Sequence, residues 1–182
     1  MELDNLRKYN IMQIANYIIN KYIDTETPIT NLLLQKTLYY IVVDFIVRYK
    51  ENITNSAIQK WGYGPVSPEV YSYYKEFGSK PITRTFSFVE FDKDDIILHD
   101  ADEKILFNPK DEERINKISS TIISHYYQSP FKLVELTHRE PMWKNFEKNI
   151  IGGERGIDYQ PSEILSFFED KDLIDWISNA KY

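Results

Sequence analysis

The sequence predicts a mainly α-helical fold, namely a compact helical domain with one small β-hairpin. Apolar residues recur at helical spacing over most of the chain, whereas only one pair of segments has the character of paired β-strands. Hydrophobic residues make up 42% of the 182 residues, which is enough for a sizeable core. We therefore expect a single domain that covers residues 1–182.

The first predicted helix runs from about Tyr9 to Ile23, because apolar and polar side chains separate onto opposite faces. The apolar face contains Ile11, Ile14, Ala15, Ile18, Ile19 and Tyr22. The opposite, polar face contains Gln13, Asn16 and Asn20. A segment that ends in Pro28 then interrupts the pattern.

The second predicted helix runs from Asn31 to about Lys50, with Thr30 as its N-cap. Its segment from Leu34 to Tyr49 is apolar almost all the way round, as in a helix that is buried on several sides. We therefore predict that this helix is the most buried one. Asp44 and Arg48 stand four residues apart and are expected to form a local ion pair.

Ser67 and Pro68 predict the start of a third helix, because serine caps helices and proline is tolerated at the first helical position. This helix is expected to run to about Phe77 and to end at Gly78 as a left-handed cap. The preceding segment, Ile53 to Trp61, has a modest β-branched content and predicts a short strand or an irregular link.

Residues 86–91 and 96–98 flank a polar turn and predict the β-hairpin, the only convincing sheet in the sequence. Such a hairpin is marginal alone and must pack on the helices. Ser129 before Pro130 repeats the pattern of a cap followed by proline. The helices predicted in this half cover about Asp111–Tyr127, Pro130–Thr137, a segment from Pro161, and Lys171–Ser178. Residues 149–158 contain three glycines and predict a loop.

The net charge of −6 is unevenly distributed along the chain. Residues 1–80 have nine basic and eight acidic residues, whereas residues 81–182 have thirteen and twenty. An acidic chain repels the phosphate backbone, so we do not expect direct binding to nucleic acid. The acidic second half could present a surface to a basic partner, and the alternative is a solubilising surface without a partner.

The chain contains no cysteine, which excludes a disulfide scaffold and a cysteine zinc site and fits a reducing cytosol. Residues 1–11 are polar and mixed in charge and lack the pattern of a signal peptide. The longest apolar stretch, Leu32 to Val47, contains three polar residues that would be costly in lipid. We therefore expect a cytoplasmic protein that does not contact the membrane.

The sequence shows no recognisable active site or cofactor site. His99, His125 and His138 lack the spacing of a helical metal pair, and the glycines of residues 152–156 lack the spacing of a phosphate loop. His138 beside Glu140 could act as a general base, but a nucleophile motif is missing, which favours a helix-end histidine that fixes the following loop. We expect no enzyme activity, metal or other cofactor. An active site or metal site assembled from distant residues is the alternative.

Three blocks of aromatic and polar residues stand out. They are Pro28–Tyr40 (PITNLLLQKTLYY), Lys60–Tyr71 (KWGYGPVSPEVY) and Leu136–Lys144 (LTHREPMWK). In this order and spacing they resemble the Panacea domain family of bacterial and phage proteins, which is also described as SocA-like or GepA-like. The segment Ala15–Ile19 (ANYII) is similar to the opening helix of that family. The resemblance spans Ile11 to about Phe168.

Three features depart from the family pattern. Thr37 replaces the usual leucine or small apolar residue, and Met142 stands where a proline is usual. The segment after Tyr40 is β-branched rather than rich in alanine and glutamine. These departures leave the resemblance in fold unchanged and concern the choice of partner.

The resemblance implies an antitoxin that neutralises a cognate protein toxin by direct contact. The alternative is an inhibitor encoded by a phage or mobile element, which uses the same scaffold against a host defence enzyme. In both cases the partner is a protein. A toxin gene beside this gene favours the antitoxin, and a phage early region without a toxin gene favours the inhibitor.

We predict that the rings and polar groups of the three blocks build one contiguous patch that binds the partner, because tryptophan, tyrosine and arginine dominate interface energetics. The predicted residues are Gln35, Lys36, Tyr39, Tyr40, Trp61, Tyr63, Tyr71, His138 and Trp143. The alternative is that most of these residues hold the three blocks together in the core. Burial of the side chains distinguishes the two.

Overall fold

The computed structural model describes residues 8–54, 56–93 and 95–179. Within these ranges the chain forms nine α-helices and two antiparallel sheets of two strands each. The helices are α1 Ile11–Tyr22, α2 Asn31–Tyr49, α3 Pro68–Tyr74, α4 Pro109–Tyr126, α5 Pro130–His138, α6 Pro141–Lys144, α7 Glu147–Ile151, α8 Pro161–Phe168 and α9 Leu173–Ser178. The strands are β1 Gln59–Trp61, β2 Gly64–Val66, β3 Phe88–Asp92 and β4 Asp95–His99. The predicted mainly helical fold is confirmed.

Helix α2 lies at the centre of the fold. Every residue from Leu33 to Ile46 is buried, and helices α1, α3, α4, α5 and α8 all pack against α2. The Thr30 hydroxyl caps the first turn by accepting a hydrogen bond from the Leu33 N–H at 3.4 Å. As predicted, the apolar surface of this helix places it in the interior. In the part of the chain that the structure describes, no helix is both long and apolar enough to cross a membrane.

The carboxylate of Asp44 joins α2 to α4. It bonds Arg48 one helical turn later at 3.0 Å, which confirms the ion pair predicted from the spacing. It also accepts two hydrogen bonds from Arg114 of α4, the one from Nε at 3.1 Å. Because the Asp44 side chain is buried, the two arginines supply the partners that a buried carboxylate requires.

The predicted hairpin forms from β3 and β4 and packs on the helices through its base. Phe88 lies opposite His99 in the strand register, and both side chains are buried. The His99 ring lies between the carboxylates of Glu90 at 2.9 Å and Glu103 at 2.7 Å. Burial alone would lower the pKa of His99, but the hydrogen bonds and charges of the two glutamates outweigh it and raise this pKa above its ordinary value. The two glutamates at the hairpin base therefore favour the protonated, positively charged form of His99.

Asn16 lies in the core, whereas its place on α1 predicted the polar face. Its side-chain amide donates to the Phe86 carbonyl at 2.9 Å, and its side-chain oxygen accepts from the Tyr74 hydroxyl at 2.5 Å. A buried amide is tolerated where its polar atoms find partners. Helical periodicity missed this residue because both partners are distant in the sequence.

Three local predictions were wrong. In addition to the predicted hairpin, β1 and β2 form a second sheet. Its three-residue strands are too short to show an alternating pattern. By contrast, the third helix reaches Phe77 as predicted, because a 3-10 turn over Lys75–Phe77 continues α3 beyond Tyr74. The Ser129 side chain does not cap α5, and α7 occupies the start of the predicted glycine-rich loop.

Phe45→Ala should lower the free energy of unfolding by about 3–5 kcal/mol, because it removes a fully buried ring from α2 and leaves a cavity. Urea denaturation measures this loss. The control is Phe91→Ala, whose ring is 76% exposed and whose removal should cost about 0.5 kcal/mol or less. A cost below about 1 kcal/mol for Phe45→Ala would show that this ring is not part of the core.

Candidate protein-binding site

The three sequence blocks meet at one junction in the fold. Lys36 of α2 donates a hydrogen bond from Nζ to the Pro65 carbonyl of β2 at 3.0 Å. Trp143 of α6 donates its indole N–H to the Trp61 carbonyl of β1 at 2.8 Å. The β1–β2 turn is thus fixed to the first block on one side and to the third block on the other.

The carboxylate of Glu140 lies at the centre of this junction and is fully buried. It accepts hydrogen bonds from the hydroxyls of Tyr39 at 2.5 Å and Tyr40 at 2.7 Å. Burial raises the pKa of Glu140 to about 7, against the lowering effect of these bonds and of the Lys36 charge. Burial, together with the Glu140 charge, raises the pKa of both tyrosines well above its ordinary value. Both hydroxyls therefore stay protonated and remain donors.

Lys36 is the positive group at the same junction. Its side chain is fully buried, and burial lowers its pKa to about 7, although the negative charge of Glu140 acts in the opposite direction. A buried ammonium is costly without an acceptor, and the Pro65 carbonyl supplies one. We refer to Lys36, Tyr39, Tyr40 and Glu140 as the buried cluster.

Gly64 allows the β1–β2 turn to approach the buried cluster. Its φ angle of +90° lies in a region of backbone conformation that residues other than glycine rarely adopt. A Cβ atom at this position would lie 2.5 Å from the Thr137 Oγ1 and 3.0 Å from the Lys36 Nζ. The second glycine of the "GYG" segment is therefore required by both conformation and close contact.

His138 is the last residue of α5, where the sequence predicted a helix-end histidine. Its ring stacks on Trp143, with ring centroids 3.5 Å apart and planes 9° apart. Burial lowers the pKa of His138 to about 4, and the positive charge of Lys36 lowers it further. The ring is thus neutral at neutral pH, and the stack connects α5 to α6.

An open groove of about 500 Å³ borders the junction at the surface. Its aromatic and apolar lining consists mainly of Leu32, Trp61, Tyr63, Tyr71 and Phe131, and we call it the aromatic groove. The ring centroids of Trp61 and Tyr71 lie 5.0 Å apart, and those of Tyr63 and Phe131 lie 6.0 Å apart. Tyr63 and Phe131 are 65% and 61% exposed, so the groove presents large rings to solvent.

Gln35 connects the groove to the core. Its side-chain oxygen accepts from the Ser67 N–H at 2.8 Å, and its amide donates to the Asn31 side chain at 3.1 Å. The side chain is almost fully buried although it belongs to the groove lining. It fixes the start of α3, which carries Tyr71, against α2.

The nine residues predicted for the partner-binding patch are neighbours, but they divide by burial. Five are buried, namely Gln35, Lys36, Tyr39, Tyr40 and Trp143. Trp61 and His138 are partly buried, whereas Tyr63 and Tyr71 are exposed. The sequence blocks therefore combine a structural centre with a small exposed surface.

Two contributors to this region were absent from the predicted patch. Glu140 was considered only as a neighbour of His138, because an isolated glutamate next to a proline has the pattern of a surface residue. Phe131 was missed because the predicted inward face of α5 contains Leu133 and Leu136, and Phe131 points away from them. The signal in the sequence was a phenylalanine on the predicted outward face of an amphipathic helix, where a polar residue is expected.

Comparisons with known proteins agree with the resemblance of the three blocks. The family described as antitoxin SocA-like, Panacea domain, matches residues 34–144. A curated relative, Antitoxin SocA of Caulobacter vibrioides (strain NA1000 / CB15N), is 30% identical over 127 residues, which cover 69% of this chain. The aligned region spans 63% of the length of that relative. No solved structure matches the chain significantly.

Gly64→Ala should lower the free energy of unfolding by about 1–3 kcal/mol, because the new methyl group would meet Thr137 and the backbone would be strained. Gly62→Ala is the matched control in the same turn, since a Cβ there meets no atom within 4 Å. Thermal and urea unfolding of both variants measure the difference. Equal losses for the two variants would contradict the close approach of the turn to the buried cluster.

Glu140→Gln should change how stability depends on pH. The folded-state pKa of Glu140 is raised to about 7 from an ordinary 4.5, so the folded state binds more protons than the unfolded state between these values. The contribution of this carboxyl is therefore fully present below pH 4.5 and is lost as the pH rises to 7. The free energy of unfolding of the wild type, minus that of Glu140→Gln, should fall across this window.

Chemical denaturation at a series of pH values between 4.5 and 7 measures this difference. Glu135→Gln on the exposed side of α5 is the control, and its profile should run parallel to that of the wild type. A difference that stays constant or grows with pH for Glu140→Gln would show that Glu140 is not held in an environment that disfavours its charge.

Proposed function

Because the chain belongs to the family of SocA-like antitoxins with a Panacea domain, we propose that it neutralises a cognate protein toxin by direct binding. The antitoxin-like role follows from the family. The mode of action, contact with the toxin through the aromatic groove, is our proposal and rests on the geometry of the junction.

The observation that supports this mode is the exposure of aromatic rings in one groove. Tyr63, Tyr71 and Phe131 are all exposed there, and Trp61, whose carbonyl accepts the bond from Trp143, lines the same groove. Large aromatic side chains act as interface anchors, because they bury much surface and lose few rotamers. An exposed apolar groove with polar neighbours is also typical of a binding site.

The buried cluster supports the groove by holding its walls in place. The turn that carries Tyr63 is bonded to Lys36 through Pro65 and to Trp143 through Trp61. A surface that is ordered before the partner arrives loses less conformational entropy on binding. We therefore propose that the buried members of the predicted patch position the groove, whereas its exposed rings contact the toxin.

We propose that neutralisation requires no catalysis and takes place in the cytoplasm. Three ionisable groups of the blocks are enclosed by the protein. Lys36 and Glu140 are fully buried, and His138 is stacked on Trp143 with a pKa of about 4. Groups in such positions connect the blocks to one another, and a partner would meet the rings of the groove first.

Tyr63→Ala and Tyr71→Ala test this proposal in cells that also express a protein toxin against which the wild-type chain protects. Each variant should reduce protection, measured as viable counts after toxin induction, by about tenfold or more, because it removes an exposed anchor. Thermal unfolding should show stability close to that of the wild type, since neither ring belongs to the core.

Ile151→Ala on α7 is the matched control. Its side chain is 75% exposed but does not line the groove, so protection should be unchanged. Full protection by stable variants of both tyrosines would show that the toxin binds elsewhere.

A further inference from the structure

The β3–β4 hairpin presents one face that is entirely apolar. Residues opposite each other in an antiparallel pair share a face, as do residues two apart along a strand. Val89 lies opposite Leu98 and Phe91 opposite Ile96, so these four side chains form one surface, which we call the hairpin face. Phe91, Ile96 and Leu98 are 76%, 72% and 68% exposed. An antiparallel sheet usually places polar residues on its solvent side.

The other side of the hairpin accounts for its attachment to the helices. Phe88 and His99 are buried there, with ring centroids 4.6 Å apart, and Gln13 of α1 approaches the His99 ring. Because the base is fixed in this way, the outward direction of the hairpin face is set by the fold. The four apolar side chains therefore have no core to fill, and their exposure points to a partner.

The charge around this face selects the kind of partner. Residues 89–104 contain seven acidic residues and two lysines, a net charge of −5 in a chain whose total is −6. A second copy of this chain would bring an equal negative charge against the first. A partner that carries positive charge around an apolar centre would be attracted instead. From this charge complementarity we infer that the hairpin face docks a protein segment that combines apolar side chains with a surplus of lysine and arginine.

The strands also offer a way for such a segment to bind. Within the described residues, β3 and β4 pair only with each other, so each has an edge without a neighbouring strand. An extended segment can add to such an edge through main-chain hydrogen bonds. Alternate side chains of a strand added beside β3 would lie on the side of Val89 and Phe91, and the others would lie on the side of Glu90.

This surface is distinct from the aromatic groove, because none of the groove-lining residues belongs to the hairpin. The inference therefore goes beyond the proposed function and does not depend on it. The groove variants leave the hairpin face unchanged, and the hairpin variants below leave the groove unchanged.

The test uses a fluorescent, extended peptide that alternates lysine with valine, isoleucine and phenylalanine. A second peptide, with glutamate in place of lysine, serves as the probe of charge. Fluorescence anisotropy with the full chain should show binding of the lysine peptide and at least about tenfold weaker binding of the glutamate peptide. Binding of the lysine peptide should weaken as salt is added, since Asp95, Asp100 and Asp102 are exposed.

Two variants and one control assign the binding to the hairpin face. The double variant Phe91→Ser with Leu98→Ser should weaken binding by about tenfold or more. The triple variant Asp95→Asn, Asp100→Asn and Asp102→Asn should weaken it and reduce its dependence on salt. Ile151→Ser removes an equally exposed apolar residue from α7 and should bind as the wild type does.

Four results would overturn the inference. The first is no binding of the lysine peptide to the wild type, and the second is equal binding of the lysine and glutamate peptides. The third is wild-type affinity in the double variant. The fourth is a dimer, seen by analytical ultracentrifugation, that dissociates in the double variant, because the occupant of the hairpin face would then be a second copy of the chain.

Discussion

The structure depends on the burial of one carboxylate, that of Glu140, in the centre of the junction. A buried charge is tolerated only where partners surround it, and here two tyrosine hydroxyls of α2 donate to it while Lys36 supplies a positive charge nearby. These partners come from the first sequence block and the carboxylate from the third. The need to satisfy Glu140 therefore fixes how the two blocks are placed relative to each other.

The β1–β2 turn is placed by the same cluster, since Lys36 also bonds the Pro65 carbonyl. Position 64 requires glycine for that approach, because the backbone has a positive φ there and a Cβ atom would be too close to Thr137 and Lys36. The stack of His138 on Trp143 and the bond from Trp143 to Trp61 close the junction from the other side. As a result, hydrogen bonds connect the backbone that carries Trp61 and Tyr63 to buried residues. This connection explains how core residues and surface residues can belong to the same motif blocks.

The local features of the fold could be predicted from the sequence. The length of α2, its burial and the pair of Asp44 with Arg48 follow from periodicity and spacing within one helix. The site could be predicted only in part. The burial of Lys36 and Glu140 depends on a contact between residues far apart in the chain, and neither residue type is usually buried. The same reason explains why Asn16 was assigned to the wrong face. The segment of β1 was predicted only as a short strand or an irregular link, and β2 was missed, because strands of three residues are too short to show an alternating pattern.

Amide hydrogen exchange of the chain, free and in complex with a protein toxin that it neutralises in cells, tests most directly the claim that this junction presents the toxin-binding surface. If the toxin binds this surface, exchange slows on binding in residues 61–75 and at the start of α5, where the groove lies. Exchange in α9, which lies outside the groove, should not change. A complex in which the groove amides exchange at the free rate, while protection appears elsewhere, would contradict it.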